Sequence, residues 1–257
     1  MLFLSIITFL IHFQYVFSKN GIDISVATDT TTFKCLVDDY NITYAIVRAF
    51  RSTGIIDEEA PNTIKQAYNQ NITDLSVYIF PCIQQSTYSI ENQINCPTFK
   101  QQIDNIVTLL NSNDIYFKPQ DQKYHDEIQM NKHQTHQTQQ IQPIYINKLW
   151  IDIEDETPSK YYSNNTIINI EFMDLLVKYM SYLNIPIGIY TTKTYWLNIM
   201  NNTIGYGMYP LWYPRYDDMN NMSFFETFVD FDEVTIKQTG GNVGYCNSSQ
   251  IDSDYSI

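Results

Sequence analysis

Short runs of apolar and β-branched residues recur along the chain and predict strands. Gly21–Ala27 is the first, Tyr44–Phe50 the second, and Leu75–Phe80, stopped by Pro81, the third. Leu149–Ile153, Ile187–Tyr190, Leu211–Tyr213 and Glu233–Gln238 follow. Between them the apolar spacing changes. Ile103, Ile106, Val107 and Leu110 fall at helical intervals, as do Met173, Leu176, Val177, Met180 and Leu183. Pro186 then restarts an extended segment. Strands alternating with helices predict an α/β architecture, a parallel sheet covered by helices, which a chain of this length can close into a barrel.

Two stretches stand outside that alternation. Leu2 to Phe17 is almost continuously apolar and carries no charged side chain. It is shorter than the ~20 residues of a membrane span and matches a signal-peptide core. Val16 and Ser18 supply small side chains for a cut ahead of Lys19, so residues 1–18 are read as a signal peptide. Removing 18 of the 257 residues leaves 239, close to the ~250 of an eight-stranded α/β barrel. No later segment is apolar enough to cross a bilayer, so no membrane contact is expected after cleavage. Residues 19–257 are read as a single domain. Pro119 to Pro143 is rich in Gln, His and Lys and reads as a solvated insertion of low order rather than a second domain.

Secretion makes other features coherent and predicts a secreted protein or one in a lysosomal or phagosomal lumen. Asn41, Asn71, Asn164, Asn201, Asn221 and Asn247 each head an N-x-Ser/Thr sequon. All four cysteines, Cys35, Cys82, Cys96 and Cys246, follow the cut. An even count in an oxidising compartment predicts two disulfides, with three pairings open. No C-x-x-C or paired-His spacing accompanies them, so no metal site and no cofactor are expected. The 15 basic against 28 acidic residues give a net charge of −13. Such a surface repels phosphate backbones and argues against nucleic acid as a partner. Nothing points beyond a monomer. Aromatic residues make up 15% of the chain, which suits carbohydrate stacking as well as an ordinary core.

The histidines narrow the chemistry. His125, His133 and His136 lie in the polar insertion and His12 in the leader. The predicted core therefore contains none, which disfavours Ser-His-Asp, Cys-His and His-ligated zinc hydrolases. Carboxylates remain as acids and bases. The most suggestive set is Leu149-Trp150-Ile151-Asp152-Ile153-Glu154-Asp155. In a strand, Leu149, Ile151 and Ile153 share the face toward the helices, and Trp150, Asp152 and Glu154 share the other. The acids then sit at the C-terminal end of the strand, where barrel active sites form. Two acids about 7 Å apart along a strand, beside an indole, can divide labour. One can stay protonated as a general acid while the other stays charged, as glycosidic cleavage requires. Asp230-Phe231-Asp232 and Asp252-Ser253-Asp254 show the same spacing, but without the flanking apolar alternation.

Further blocks resemble the glycoside hydrolase family 25 lysozymes, in particular their secreted invertebrate and protist branch. They run from Gly21-Ile-Asp-Ile-Ser25 through Cys35 and Tyr44–Ala49 to Val77–Cys82 and Leu149–Glu154. Ile187–Thr191, Pro210–Tyr213, Ile236–Gln238 and Cys246 followed by Ile251-Asp252 complete the series in family order. The resemblance implies an irregular TIM-like α/β barrel with a cleft across its C-terminal face. It implies an enzyme, a secreted N-acetylmuramidase acting on the glycan strands of bacterial peptidoglycan. Matched residue by residue, Glu154 is the general acid. Asp152 orients the substrate 2-acetamido group, which attacks the anomeric carbon, so that configuration is retained. Asp23 matches another active-site acid, and Asp252 the acid near the last strand, with Asp254 as the alternative register. Tyr190, Trp212 and Gln238 match cleft-lining positions, and Trp150 joins them as a substrate-binding candidate. The same branch pairs Cys35 with Cys246 and Cys82 with Cys96.

The chain departs from that family at the 119–143 insertion, expected on the N-terminal side of the barrel, and at the acidic Asp217–Asp232 segment. Its negative charge suits an acidic compartment, where protonation weakens repulsion from anionic walls. Two other readings remain. One is a non-catalytic protein that binds peptidoglycan or chitin oligosaccharides on the same barrel. The other is a chitinase, which would carry aspartates at the positions of Trp150 and Lys148.

Overall fold

The computed structural model describes residues 18–83, 96–119, 142–155, 161–223, 225–248 and 250–256. Residues 1–17, read from the sequence as part of a signal peptide, and most of the 119–143 segment, with all four histidines, lie outside the described residues.

The described residues begin with β1 (Lys19–Ile24), α1 (Thr30–Tyr40), β2 (Ile42–Phe50), α2 (Ala60–Asn69) and β3 (Asp74–Ile79). Next come α3 (Phe99–Asn111) and two short strands, β4 (Ile115–Phe117) and β5 (Ile144–Ile146). The second half runs β6 (Leu149–Asp152), α4 (Thr166–Tyr182), β7 (Ile187–Tyr190), α5 (Lys193–Met200), β8 (Leu211–Pro214), β9 (Ile236–Gly240) and β10 (Ile251–Ser256). Eight of the strands close a barrel in the order β1-β10-β9-β8-β7-β6-β3-β2. This is the irregular TIM-like fold that the sequence implies.

Helix ends follow local chemistry. The Asp29 side chain accepts from the Thr32 N–H at the start of α1, and Asn41 closes it in the left-handed conformation. Thr98 and Gln101 form a reciprocal capping box on α3.

The irregularity lies at the closure. The strand alternation predicts a parallel sheet, but β10 is antiparallel to both β1 and β9. A parallel return needs a crossover of a dozen or more residues, usually a helix. Only residues 241–250 separate β9 from β10, and they hold one short 3₁₀ turn, Tyr245–Asn247. The chain therefore turns straight back.

Strands β2, β3, β6, β7 and β8 each divide their apolar side chains between two cores. Ile22, Ile24, Val47, Val77, Leu149, Ile151 and Ile189 face the helices and pack in the outer core with Phe33, Leu36, Ile106, Met173 and Trp196. Tyr44, Ile46, Tyr78, Trp150, Tyr190, Trp212 and Ile236 fill the barrel interior. Large rings fit there because facing positions are small. A Cβ on Gly188 would stand 2.2 Å from Trp150 Cε3, and one on Gly21 would stand 2.1 Å from the Tyr44 ring. The face assignment predicted for Leu149–Asp152 holds throughout the strand.

Strands β4 and β5 form a separate two-stranded parallel sheet flanking the insertion. The Asn147 N–H donates to Leu75 O at 2.7 Å, which ties this sheet to the start of β3. The flanks of the insertion thus leave from the N-terminal end of the barrel, opposite the strand ends that carry the acids. The four cysteines pair as Cys35–Cys246 and Cys82–Cys96. The first bridge ties α1 to the turn before β10.

Candidate active site

The acids sit on the interior face of the barrel near the C-terminal ends of its parallel strands. Asp23 of β1 is directly paired with Asp252 of β10. Asp152 ends β6 and pairs in register with Tyr190 of β7. Glu154 lies two residues beyond, half-buried, on the wall of a cleft of about 310 Å³. Tyr190, Thr192, Tyr195, Pro214 and Tyr216 line the same cleft.

Hydrogen bonds tie its floor together. The Tyr190 hydroxyl donates to Gln238 Oε1 at 2.8 Å, and the Tyr216 hydroxyl donates to the same atom at 2.9 Å. Gln238 Nε2 donates to Asp23 Oδ2 at 2.7 Å and to Asp252 Oδ2 at 3.2 Å. The Asn242 N–H donates to Asp252 Oδ1 at 2.6 Å. One layer deeper, Trp212 Nε1 donates to Asp254 Oδ1 at 2.9 Å.

Burial dominates the electrostatics. It pushes the Asp23 carboxyl well above the usual carboxylate range, helped by repulsion from Asp254, Asp252 and Asp152 and opposed by the Gln238 hydrogen bond. Asp152 is raised well above that range by burial and then by Glu154, while Arg48 pulls it down. Burial likewise raises Asp252, against the Asn242 hydrogen bond, and Asp254, against the Trp212 hydrogen bond. Asp152 Oδ1 is buried with no hydrogen-bond partner among the described residues. A carboxylate oxygen in that state favours either a proton or a donor arriving with a ligand.

Glu154 and Tyr190 line the cleft; Gln238 links Tyr190 to Asp23 and Asp252, and Asp152 pairs in register with Tyr190. Trp150 and Trp212 sit lower. They are 1% and 2% exposed, and each packs edge-on against another ring. Neither offers a free face for a sugar to stack on, so they support the cleft from below. Asp254 is 3% exposed and lies with them in the interior.

Two participants escape the sequence reading. Arg48 shares the interior parity of Tyr44 and Ile46 on β2, the signal that could have found it. Its Nε donates to Asp57 Oδ2 at 2.6 Å and its Nη2 to Ser25 O at 2.6 Å. This places a cation beside Tyr78 and Asp152. Tyr216 is 61% exposed, and its ring lies 3.4 Å from where a Cβ on Gly241 would stand. It follows Pro214 in an irregular segment that offers no periodicity to read. Among the described residues no cluster of three His, Cys, Asp or Glu side chains could hold a metal ion.

The family model described as lysozyme-like protein 1 matches residues 14–118 and 88–239. A probable GH family 25 lysozyme 4 of Dictyostelium discoideum is 26% identical over 249 residues, covering 95% of this chain and 96% of that protein. The chain belongs to the family 25 glycoside hydrolases, the GH25 lysozymes. Lysozyme-like protein 5 of Caenorhabditis elegans is 26% identical over 93% of this chain and 91% of its own length. Among solved structures, a GH25 lysozyme from Aspergillus fumigatus superposes with a TM-score of 0.61 at 15% identity, covering 94% of each chain. A muramidase from Trichobolus zukalii gives 0.59 at 15% identity, covering 93% of each chain. The GH25 fold therefore spans the whole described barrel, and the class of enzyme is a glycoside hydrolase.

Proposed function

We propose that this GH25 protein is a secreted muramidase. It cleaves the β-1,4 bond between N-acetylmuramic acid and N-acetylglucosamine in bacterial peptidoglycan. The observation that carries the reading is the unequal environment of two neighbouring acids at the cleft. Glu154 stands on the cleft wall, and Asp152 is buried behind it with an oxygen that has no partner among the described residues.

Glu154 donates its proton to the glycosidic oxygen as the C1–O bond breaks. The carbonyl oxygen of the substrate acetamido group attacks C1 from the opposite face. Asp152 Oδ1 accepts the acetamido N–H, which orients that group and offsets the positive charge it gains. Arg48 favours the charged form of Asp152 that this step needs. Water then attacks C1, returns a proton to Glu154 and reopens the acetamido group, so configuration is retained. The exposed ring of Tyr216 supplies a stacking face at the cleft rim.

Two disulfides support passage through an oxidising compartment. Asn41, Asn71, Asn164, Asn201 and Asn247 are exposed and accessible to glycosylation. Reducing-end analysis of digested peptidoglycan tests the proposal. Muramic acid reducing ends are expected, and Glu154→Gln is expected to lose at least ~100-fold in rate. Glucosamine reducing ends, faster cleavage of chitin oligomers, or binding without release of any reducing end would each overturn it.

A further inference from the structure

All four hydrogen-bonding positions of the Gln238 side chain are occupied by protein. Its oxygen accepts from the hydroxyls of Tyr190 and Tyr216, and its nitrogen donates to Asp23 and Asp252. A primary amide offers two N–H groups and two lone pairs, so none is left for a sugar. The residue is 2% exposed.

We propose that Gln238 is a positioning residue that holds Asp23 and Asp252 together as one unit sharing a single proton. This rests on the glycosidase reading of the site and deepens it. The two Oδ2 atoms lie 2.7 and 3.2 Å from a common nitrogen, so the carboxyls are close neighbours. Their residues also face each other directly across β1 and β10. Like charges so near each other in a buried site do not both ionise. Asp252 keeps a backbone N–H donor from Asn242, and it is less deeply enclosed than Asp23. Asp23 therefore holds the proton, and Asp252 ionises first.

The surroundings favour the same outcome. Asp254 from β10 and Asp152 from β6 face Asp23 as further acids. Tyr44 from β2, Tyr78 from β3, Tyr190 from β7 and Tyr216 beyond β8 bring no positive charge, and Glu154 is a further acid. Arg48 is the cation in this group, and it is already engaged by Asp57 and the Ser25 carbonyl. The two tyrosine hydroxyls fix which end of the amide faces the acids. The nitrogen points at the pair.

Carbon-13 NMR titration of the aspartate carboxyls in the intact protein tests this. In the wild type, Asp23 and Asp252 should titrate in two linked steps, with Asp23 last to ionise. In Gln238→Ala both midpoints should rise by about one pH unit, because the donors that favour the charged forms are gone. The acid limb of the wall-lysis pH profile should move with them. Independent single-step titrations in the wild type would overturn the proposal, even if Gln238→Ala did not fold. Unmoved midpoints in a folded variant, with a uniform loss of rate at every pH, would reduce Gln238 to a structural role. The titration uses no substrate, so its failure is distinct from a failure to cleave peptidoglycan.

Discussion

Asp254 is a buried acid of the barrel interior with only one carboxyl oxygen hydrogen-bonded, and Asp254→Asn should therefore stabilise the protein in a pH-dependent way. The side chain is 3% exposed, and Oδ2 is buried without a hydrogen-bond partner among the described residues. Only Oδ1 is satisfied, by Trp212 Nε1 at 2.9 Å, and asparagine retains that acceptor. Burial holds the carboxyl well above its ordinary range, with repulsion from Asp252 adding to it. Below the unfolded-state pKa near 3.9 the acid is protonated in both states and imposes no penalty. Above it the unfolded chain ionises while the folded chain keeps its proton. The unfolded state then binds fewer protons, so stability falls as pH rises until the folded pKa is passed. The slope is at most about 1.4 kcal/mol per pH unit for one group. Asparagine does not titrate, so the variant gains on the wild type by that amount. For a domain of this size this is a widening of roughly 3–6 °C in melting temperature per pH unit. Thermal melts by circular dichroism from pH 4 to pH 7, at fixed ionic strength, measure it. A gap that stays constant or narrows as pH rises would refute the reasoning, because it would mean that Asp254 titrates alike in both states.

The two disulfides and one interior glycine give further tests. The sequence separations are 211 residues for Cys35–Cys246 and 14 for Cys82–Cys96. Chain entropy then assigns about 5 and about 3 kcal/mol to the two bridges. Replacing Cys35 and Cys246 with serine should lower the urea-derived stability by about 2 kcal/mol more than replacing Cys82 and Cys96. Equal losses would show that the unfolded chain does not behave as a free loop. Gly188→Ala should cost about 1–3 kcal/mol or more, because its Cβ would stand 2.2 Å from Trp150 Cε3 in a filled interior. Urea unfolding followed by tryptophan fluorescence reads the loss, and a neutral result would place Trp150 away from β7.

What could be read along the chain was whatever kept an apolar face. Leu149, Ile151 and Ile153 alternate with Trp150 and Asp152, so both the strand and its inward acid were visible from local pattern. Helices α3 and α4 were visible through Ile103, Ile106 and Leu110 and through Met173, Leu176 and Met180. Strand β10 was not. Its Ile251-Asp-Ser-Asp-Tyr-Ser256 reads as a polar turn, because its interior face carries Asp252 and Asp254 in place of apolar side chains. Its antiparallel direction was hidden for a related reason, since nothing local distinguishes a ten-residue return from a loop. Strands β4 and β5 have three residues each, too few for any period to show.

The same logic explains why the site was only half visible. Asp152 and Glu154 are neighbours in sequence, but the Gln238–Asp23 hydrogen bond spans 215 positions, and only the closed barrel brings its partners together. Once they meet, each acid alters the others. Asp23 is raised partly by Asp254, Asp252 and Asp152, none of which lies on its own strand. A local rule of apolar interiors therefore fails in the one place where the interior must carry protons. An interior strand that breaks alternation with acids, in a chain whose other strands obey it, is itself the mark of a reacting centre. On that ground Asp252 was as informative as Asp152, although it lacked every apolar neighbour that made Asp152 conspicuous.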